Sequence, residues 1–127
     1  MKRRELILVV DDDVEILRIL TRSLELEGYD VTTAADGRSA LATLDDSKPD
    51  LVILDIIMPE LDGFQVLDLM RQRSNVPVIM LTAKSEVDSM RDAMALGADD
   101  YVRKPFHIGV LVARVRAKLR RSRVTFQ

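Results

Sequence analysis

Cysteine is absent from the 127 residues, which excludes disulfides and thiolate zinc sites and suits a reducing compartment. Also missing is any apolar run of the ~18 residues needed to span a bilayer, so no membrane segment is expected. The opening MKRRELILVV is basic and then apolar, but a triple aspartate stops it before a secretory signal could form. Internal repeats and low-complexity stretches are lacking too, and only one histidine, His107, is present. What remains is an ordinary soluble composition, 47% hydrophobic and 31% charged, long enough for one domain with a real core and too short for two. A cytoplasmic protein is expected. Acidic residues are missing from one region: His107 to Gln127 carries six cations and no acid, leaving 13 basic against 21 acidic groups, a balance of −8, on the rest. That helix could touch nucleic acid, but cations near a helix C-terminus also complement its dipole, and no base-reading architecture accompanies them.

Apolar β-branched runs alternate with helical spacing throughout. Leu6–Val10 (LILVV) reads as a buried strand, and Val14–Leu26 carries a helical stripe of Ile16, Leu17, Ile19, Leu20 and Leu24, closed by Gly28. Strands are then expected at Val31–Ala34, Leu51–Leu54, Val76–Leu81 and Tyr101–Val102. Between and after them, helices are expected at Arg38–Leu44, Phe64–Met70 (entered through Asp62-Gly63), Val87–Leu96 and Ile108–Leu119. Such alternation specifies an α/β fold, a parallel sheet with helices on both faces. Ligands in such sheets bind beyond the carboxyl ends of the strands, where strand order switches.

Polar residues fall at four of those ends: Asp11, Asp12 and Asp13, then Asp55, Thr82 and Lys104. Asp55 is the anomaly, a lone carboxylate in LVILDIIM with no basic neighbour, and costly beside a buried strand unless something pairs with it. Adjacent carboxylates repel unless a cation joins them, and an all-oxygen site of this size suits Mg²⁺. A carboxylate can also accept a phosphoryl group, with Thr82 donating a hydrogen bond and Lys104 a positive charge. Each residue alone has a plainer reading. Asp13, and Asp12 with it, could cap the helix from Val14; Asp55 could open a turn; Thr82 could be a strand residue and Lys104 a solvated one. Their conjunction at four strand ends favours a site.

VVDDD at 9–13, LDIIMPELDG at 54–63, MLTA at 80–83 and GADDYVRKPF at 97–106 resemble the receiver domain of two-component response regulators, over nearly the whole chain. The resemblance implies a five-stranded sheet in the order 2-1-3-4-5. It implies that Asp55 takes a phosphoryl group from a sensor histidine kinase, and that Asp11, Asp12, Asp55 and the Ile57 carbonyl hold Mg²⁺, with Mn²⁺ an alternative. Thr82, the Ala83 amide and Lys104 would contact the phosphoryl group. A cis bond is expected before Pro105, and Thr82 and Tyr101 form a switch acting on the face of the fourth helix, fifth strand and fifth helix.

LVARVRAKLRR, 111–121, is similar to the last receiver helix of the OmpR/PhoB-like branch, whose members add a winged-helix DNA-binding domain and dimerise on that face when activated. Asp99, Asp100, Arg114 and Arg116 match its ion-pair partners. Met90 and Val110 stand where a basic and an acidic residue are usual, so an apolar contact could replace that pair; unrelated surface drift would explain it equally. Residues 1–121 are read as the receiver and 122–127 as a tail or linker towards an effector domain, through which alone DNA would be bound. His107 is read as a helix cap rather than a phosphohistidine relay. Three rivals remain: a flavodoxin-like nucleotide binder, whose first loop would not be three aspartates; a dehalogenase-like phosphatase, whose nucleophile follows the first strand; and a degenerate receiver serving only as a binding module.

Overall fold

In the computed structural model, residues 3–83 and 87–124 are described, apart from the side chains of 87–90 and 121–124. Five strands, β1 (Leu6–Val10), β2 (Asp30–Ala34), β3 (Leu51–Asp55), β4 (Val78–Thr82) and β5 (Asp100–Arg103), alternate with five helices. These are α1 (Val14–Leu26), α2 (Gly37–Ser47), α3 (Gly63–Arg71), α4 (Val87–Ala95) and α5 (Ile108–Val124). Every pairing is parallel, in the order β2-β1-β3-β4-β5. Strand order therefore reverses between β1 and β3, where such sheets open a binding crevice.

β3 (LVILD) and β4 (VIMLT) are buried at every position, as central strands covered on both faces must be. Alternation sends Leu8, Val10, Val52, Leu54, Val78 and Met80 to one core, with Val66, Leu67 and Met70 of α3 and Leu44 of α2. It sends Ile7, Val9, Ile53, Ile79 and Leu81 to the other, against Leu20 and Leu24 of α1 and Leu111, Val115 and Leu119 of α5. Each such side chain contributes roughly 1.5–3 kcal/mol by leaving water, so the two cores fix which strand ends stand together.

Helix starts are set by three aspartates: Asp13, Asp36 and Asp62 accept from the amides of Glu15, Ser39 and Gln65, and Asp62 with Gln65 forms a reciprocal capping box. Capping at α1 thus falls to Asp13. Gly28, just past α1, has φ +97°, which a glycine adopts without Cβ strain. The His107 carbonyl accepts from the amides of Val110 and Leu111, giving it the cap position expected of it.

Several boundaries differ from the sequence expectation. β4 begins at Val78, not Val76, because Pro77 has no amide and the Val76 amide is taken by the Ser74 hydroxyl at 3.0 Å. β3 and β4 run one residue further, so Asp55 and Thr82 are strand residues, not loop residues. α5 continues to Val124, past Leu119, the last core residue among those described, since arginine is a good helix former. Residues 122–124 therefore continue the helix. Among the described residues, no helix is long and apolar enough to cross a membrane.

Candidate functional site

The register Val10↔Leu54 brings the exits of β1 and β3 side by side, and Asp55↔Leu81 places Thr82 one step beyond Asp55 on the next strand. Three carboxylates converge there: one ligand oxygen from each of Asp11, Asp12 and Asp55 lies within 4.8 Å of the others. Asp11 is fully buried and Asp55 nearly so, whereas Asp12 faces solvent. Asp11 is held from both sides, accepting from the Asp13 amide at 3.0 Å and from Lys104 Nζ at 2.9 Å. Lys104 Nζ also stands 3.3 Å from Asp55 Oδ1. Its backbone is fixed by the Lys104 amide donating to the Thr82 carbonyl at 2.6 Å, and the Lys104–Pro105 peptide is cis.

One ammonium faces three carboxylates, so negative charge is in excess. Burial, and then the charge of Asp11, push the Asp55 carboxyl up to about 6 against the opposing pull of Lys104 and a hydrogen bond from the Ile57 amide. Burial works to lower Lys104, but its hydrogen bond to Asp11 and the charges of Asp55 and Asp11 outweigh that and hold it above its ordinary value. A donor set of oxygens only, overloaded with negative charge and partly open to solvent through Asp12, fits a hard divalent cation.

The loop after β3 is pinned back over the site. Ile56 and Met58 are buried in the α2–α3 core while Ile57 is exposed, and the Gly63 amide donates to the Ile56 carbonyl at 2.7 Å. A Cβ on Gly63 would lie 2.3 Å from the Asp55 carbonyl oxygen and 2.6 Å from Ile56 Cα, so only glycine lets α3 start there. The sequence marks Asp62-Gly63 as the entry to this helix, but the contacts that require glycine there are to Asp55 and Ile56, which only the fold brings close.

Thr82 is fully buried at the end of β4, Ala83 is exposed beyond it, and Tyr101 is half-buried on β5, packed against the α2–α3–α4 core. The residues expected on a dimer face lie away from the site, on α4 (Met90), the turn before β5 (Asp99), β5 (Asp100) and α5 (Val110, Arg114 and Arg116). Asp99 pairs with Arg71 at 3.0 Å, Asp100 with Arg114 Nη1 at 2.9 and 3.0 Å, and Arg116 with Glu27 beyond α1. Each charge expected to reach a second subunit thus has a partner within the chain. Val110 is 47% exposed; the side chain of Met90 lies outside the described residues, but Met94, one turn on, is 50% exposed.

This geometry agrees with what the chain is similar to. It is 50% identical over 119 residues to "Probable transcriptional regulator ycf27" of Porphyridium aerugineum, covering 94% of this chain and 50% of that protein. It is 48% identical over 120 residues to "Transcriptional regulatory protein PrrA" of Mycobacterium leprae, covering 94% and 52%. The chain thus spans about half the length of the curated relatives it matches. Among solved structures, the receiver domain of the Francisella response regulator 1452 superposes with a TM-score of 0.90 at 36% identity, covering 94% of this chain and 99% of that one. Vibrio cholerae chemotaxis protein CheY4 does so at 0.87 and 32% identity, covering 91% and 98%. The family profile described as "Response regulator receiver domain" matches residues 7–116, and the chain belongs to that family.

Proposed function

We propose that Asp55 is the phosphoacceptor of a cytoplasmic two-component relay, receiving its phosphoryl group from a sensor histidine kinase. The observation that carries this reading is the convergence of Asp11, Asp12 and Asp55 within 4.8 Å, with Lys104 Nζ bridging the first and last. Asp11, Asp12, Asp55 and the Ile57 carbonyl are the groups that would hold Mg²⁺ or Mn²⁺. A divalent ion bound there supplies the positive charge that three carboxylates lack and that phosphoryl transfer needs. An Asp55 carboxylate oxygen attacks phosphorus, the bond from phosphorus to the donor's imidazole nitrogen breaks, and that nitrogen keeps the electron pair. Lys104 moves its charge onto a transferred phosphoryl oxygen, while the Thr82 hydroxyl and the Ala83 amide donate to the others.

Because Thr82 ends the strand beside Tyr101, its shift towards the phosphoryl group lets Tyr101 repack and alters the α4–β5–α5 face. In a longer regulator that face would control dimerisation and, through a DNA-binding domain, transcription. The chain is an acceptor rather than a turnover enzyme, although its own residues promote both gain and loss of the phosphoryl group.

Intact mass after incubation with Mg²⁺ and acetyl phosphate tests the chemistry. One phosphoryl group per chain is expected, absent in chelator and in Asp55→Asn. An unmodified mass under all conditions would favour the degenerate binding module, and sustained turnover of phosphoester would favour a phosphatase.

The dimer carries its own expectation. Asp99, Asp100, Arg114 and Arg116 must exchange internal partners for external ones, a swap with little net gain, which leaves Val110 and the apolar side of α4 as the driving contact. Sedimentation of the phosphorylated chain from about 0.1 to 1 M salt is expected to show a dimer throughout. Dissociation to monomer at the upper end would contradict an apolar contact, and a dimer retained by Val110→Lys would place the interface elsewhere.

A further inference from the structure

Outside the acidic notch, Arg71 at the end of α3 makes more directed contacts than a helix-terminal arginine needs. Its side chain is only 19% exposed. Nε donates to the Gly97 carbonyl at 2.9 Å, Nη1 to the Ser74 carbonyl at 3.3 Å, and Nη2 to Asp99 Oδ1 at 3.0 Å. The same Asp99 oxygen accepts from the Val78 amide at 2.8 Å, and the Asp99 amide donates to the Val78 carbonyl at 2.8 Å. One fork thus joins the end of α3, the turn from α4 into β5, and the first residue of β4. Gly97 admits it: φ is +105°, and a Cβ there would stand 3.0 Å from Arg71 Nε.

α4 leaves the site side of the sheet after Thr82-Ala83 and returns through Gly97 at the opposite end. We infer that Arg71 is the positioning residue of the output face, a clamp that holds the base of α4 fixed so that a change at Thr82 tilts the helix about Gly97 instead of loosening it. Of the three elements it joins, β4 and α3 carry core residues that are fully buried (Val78 and Met70), so the base has nowhere to slide. The inference rests on the proposed phosphorylation only for its second half.

The test uses Arg71→Met, which keeps the aliphatic stem and removes the donors, and Arg71→Lys, which keeps the charge and loses the fork. Hydrogen exchange in the unphosphorylated protein is read at the amides of Leu96, Gly97, Ala98 and Asp99, which donate to Asp92, Met94, Ala93 and Val78. In both variants these are expected to exchange about tenfold faster or more, the equivalent of one charge-assisted hydrogen bond, while β1 and β3 amides are unchanged. Unchanged exchange at 96–99, equal acceleration everywhere, or full restoration by lysine would overturn the clamp.

The second readout is tyrosine fluorescence in a Tyr29→Phe background, where Tyr101 is the sole tyrosine and the chain has no tryptophan. The variants are expected to take up the phosphoryl group to the wild-type extent but to show less than about half the wild-type change at Tyr101. A full-sized change despite fast exchange would make Arg71 a structural brace and overturn its part in the switch. Failure of the wild type itself to be phosphorylated would strike the proposed function, and the exchange arm would still decide the clamp.

Discussion

Gly63→Ala is expected to lower folding stability by about 3 kcal/mol or more, since of the five glycines it is the one where an added Cβ meets backbone most closely. The added carbon would sit 2.3 Å from the Asp55 carbonyl oxygen, 2.6 Å from Ile56 Cα and 3.0 Å from the Asp55 carbonyl carbon. All three are backbone atoms of β3 and its exit, so no flexible side chain can swing aside. Relief requires moving α3, which would break the 2.7 Å bond from the Gly63 amide to the Ile56 carbonyl and unseat Val66, Leu67 and Met70 from the core. Urea unfolding of the two proteins in chelator checks this; a loss below about 1 kcal/mol would mean that the loop relaxes freely and does not hold Asp55 in place.

Asp55→Asn is expected to act in the opposite direction, stabilising the metal-free protein by roughly 1–3 kcal/mol at pH 7. The folded carboxyl titrates at about 6 against an ordinary 3.8, because burial and Asp11 disfavour its charge. Between those values the folded state holds more protons than the unfolded one. Stability of the wild type in chelator must therefore fall as pH rises from about 4 to about 6 and stay low above it. Asparagine keeps the shape and removes the charge, so the variant should lack this decline; its lost ion pair with Lys104 places the gain below the full value of the shift. At pH 4 the two proteins should be nearly equal. Mg²⁺ should then raise the wild type more than the variant, because Asp55→Asn removes one of the three carboxylates. A variant less stable than wild type at pH 7 in chelator would show that Lys104 already balances the site without metal.

The sheet and its rim were legible in the sequence because the signals were strong and local. LVIL and VIML at the centre read as buried parallel strands, and Asp55 at the exit of the first and Thr82 at the exit of the second fall on the same rim as the aspartates after β1. Strand ends were misjudged by one or two residues where the deciding contact was distant or unseen: Pro77 and the Ser74 hydroxyl set the start of β4, and nothing in Leu111–Leu119 announced that α5 runs on through arginines to Val124. Arg71 was illegible, since an arginine at the end of an apolar helix reads as solvated; its three acceptors lie on segments up to 28 residues away. Of the charges expected on a dimer face, Asp100 and Arg114 pair with each other, Asp99 with Arg71 and Arg116 with Glu27, an arrangement that only the fold reveals.

The central claim is chemical, that one side chain at the end of β3 becomes an acyl phosphate. Borohydride reduction of the protein after treatment with Mg²⁺ and acetyl phosphate converts an aspartyl phosphate to homoserine, and peptide mass mapping then locates it. Homoserine at position 55 alone, at a yield matching the phosphoryl content of the intact protein, is the expected result. Homoserine at Asp11 or Asp12, or a phosphorylated protein with none at 55, would contradict the account.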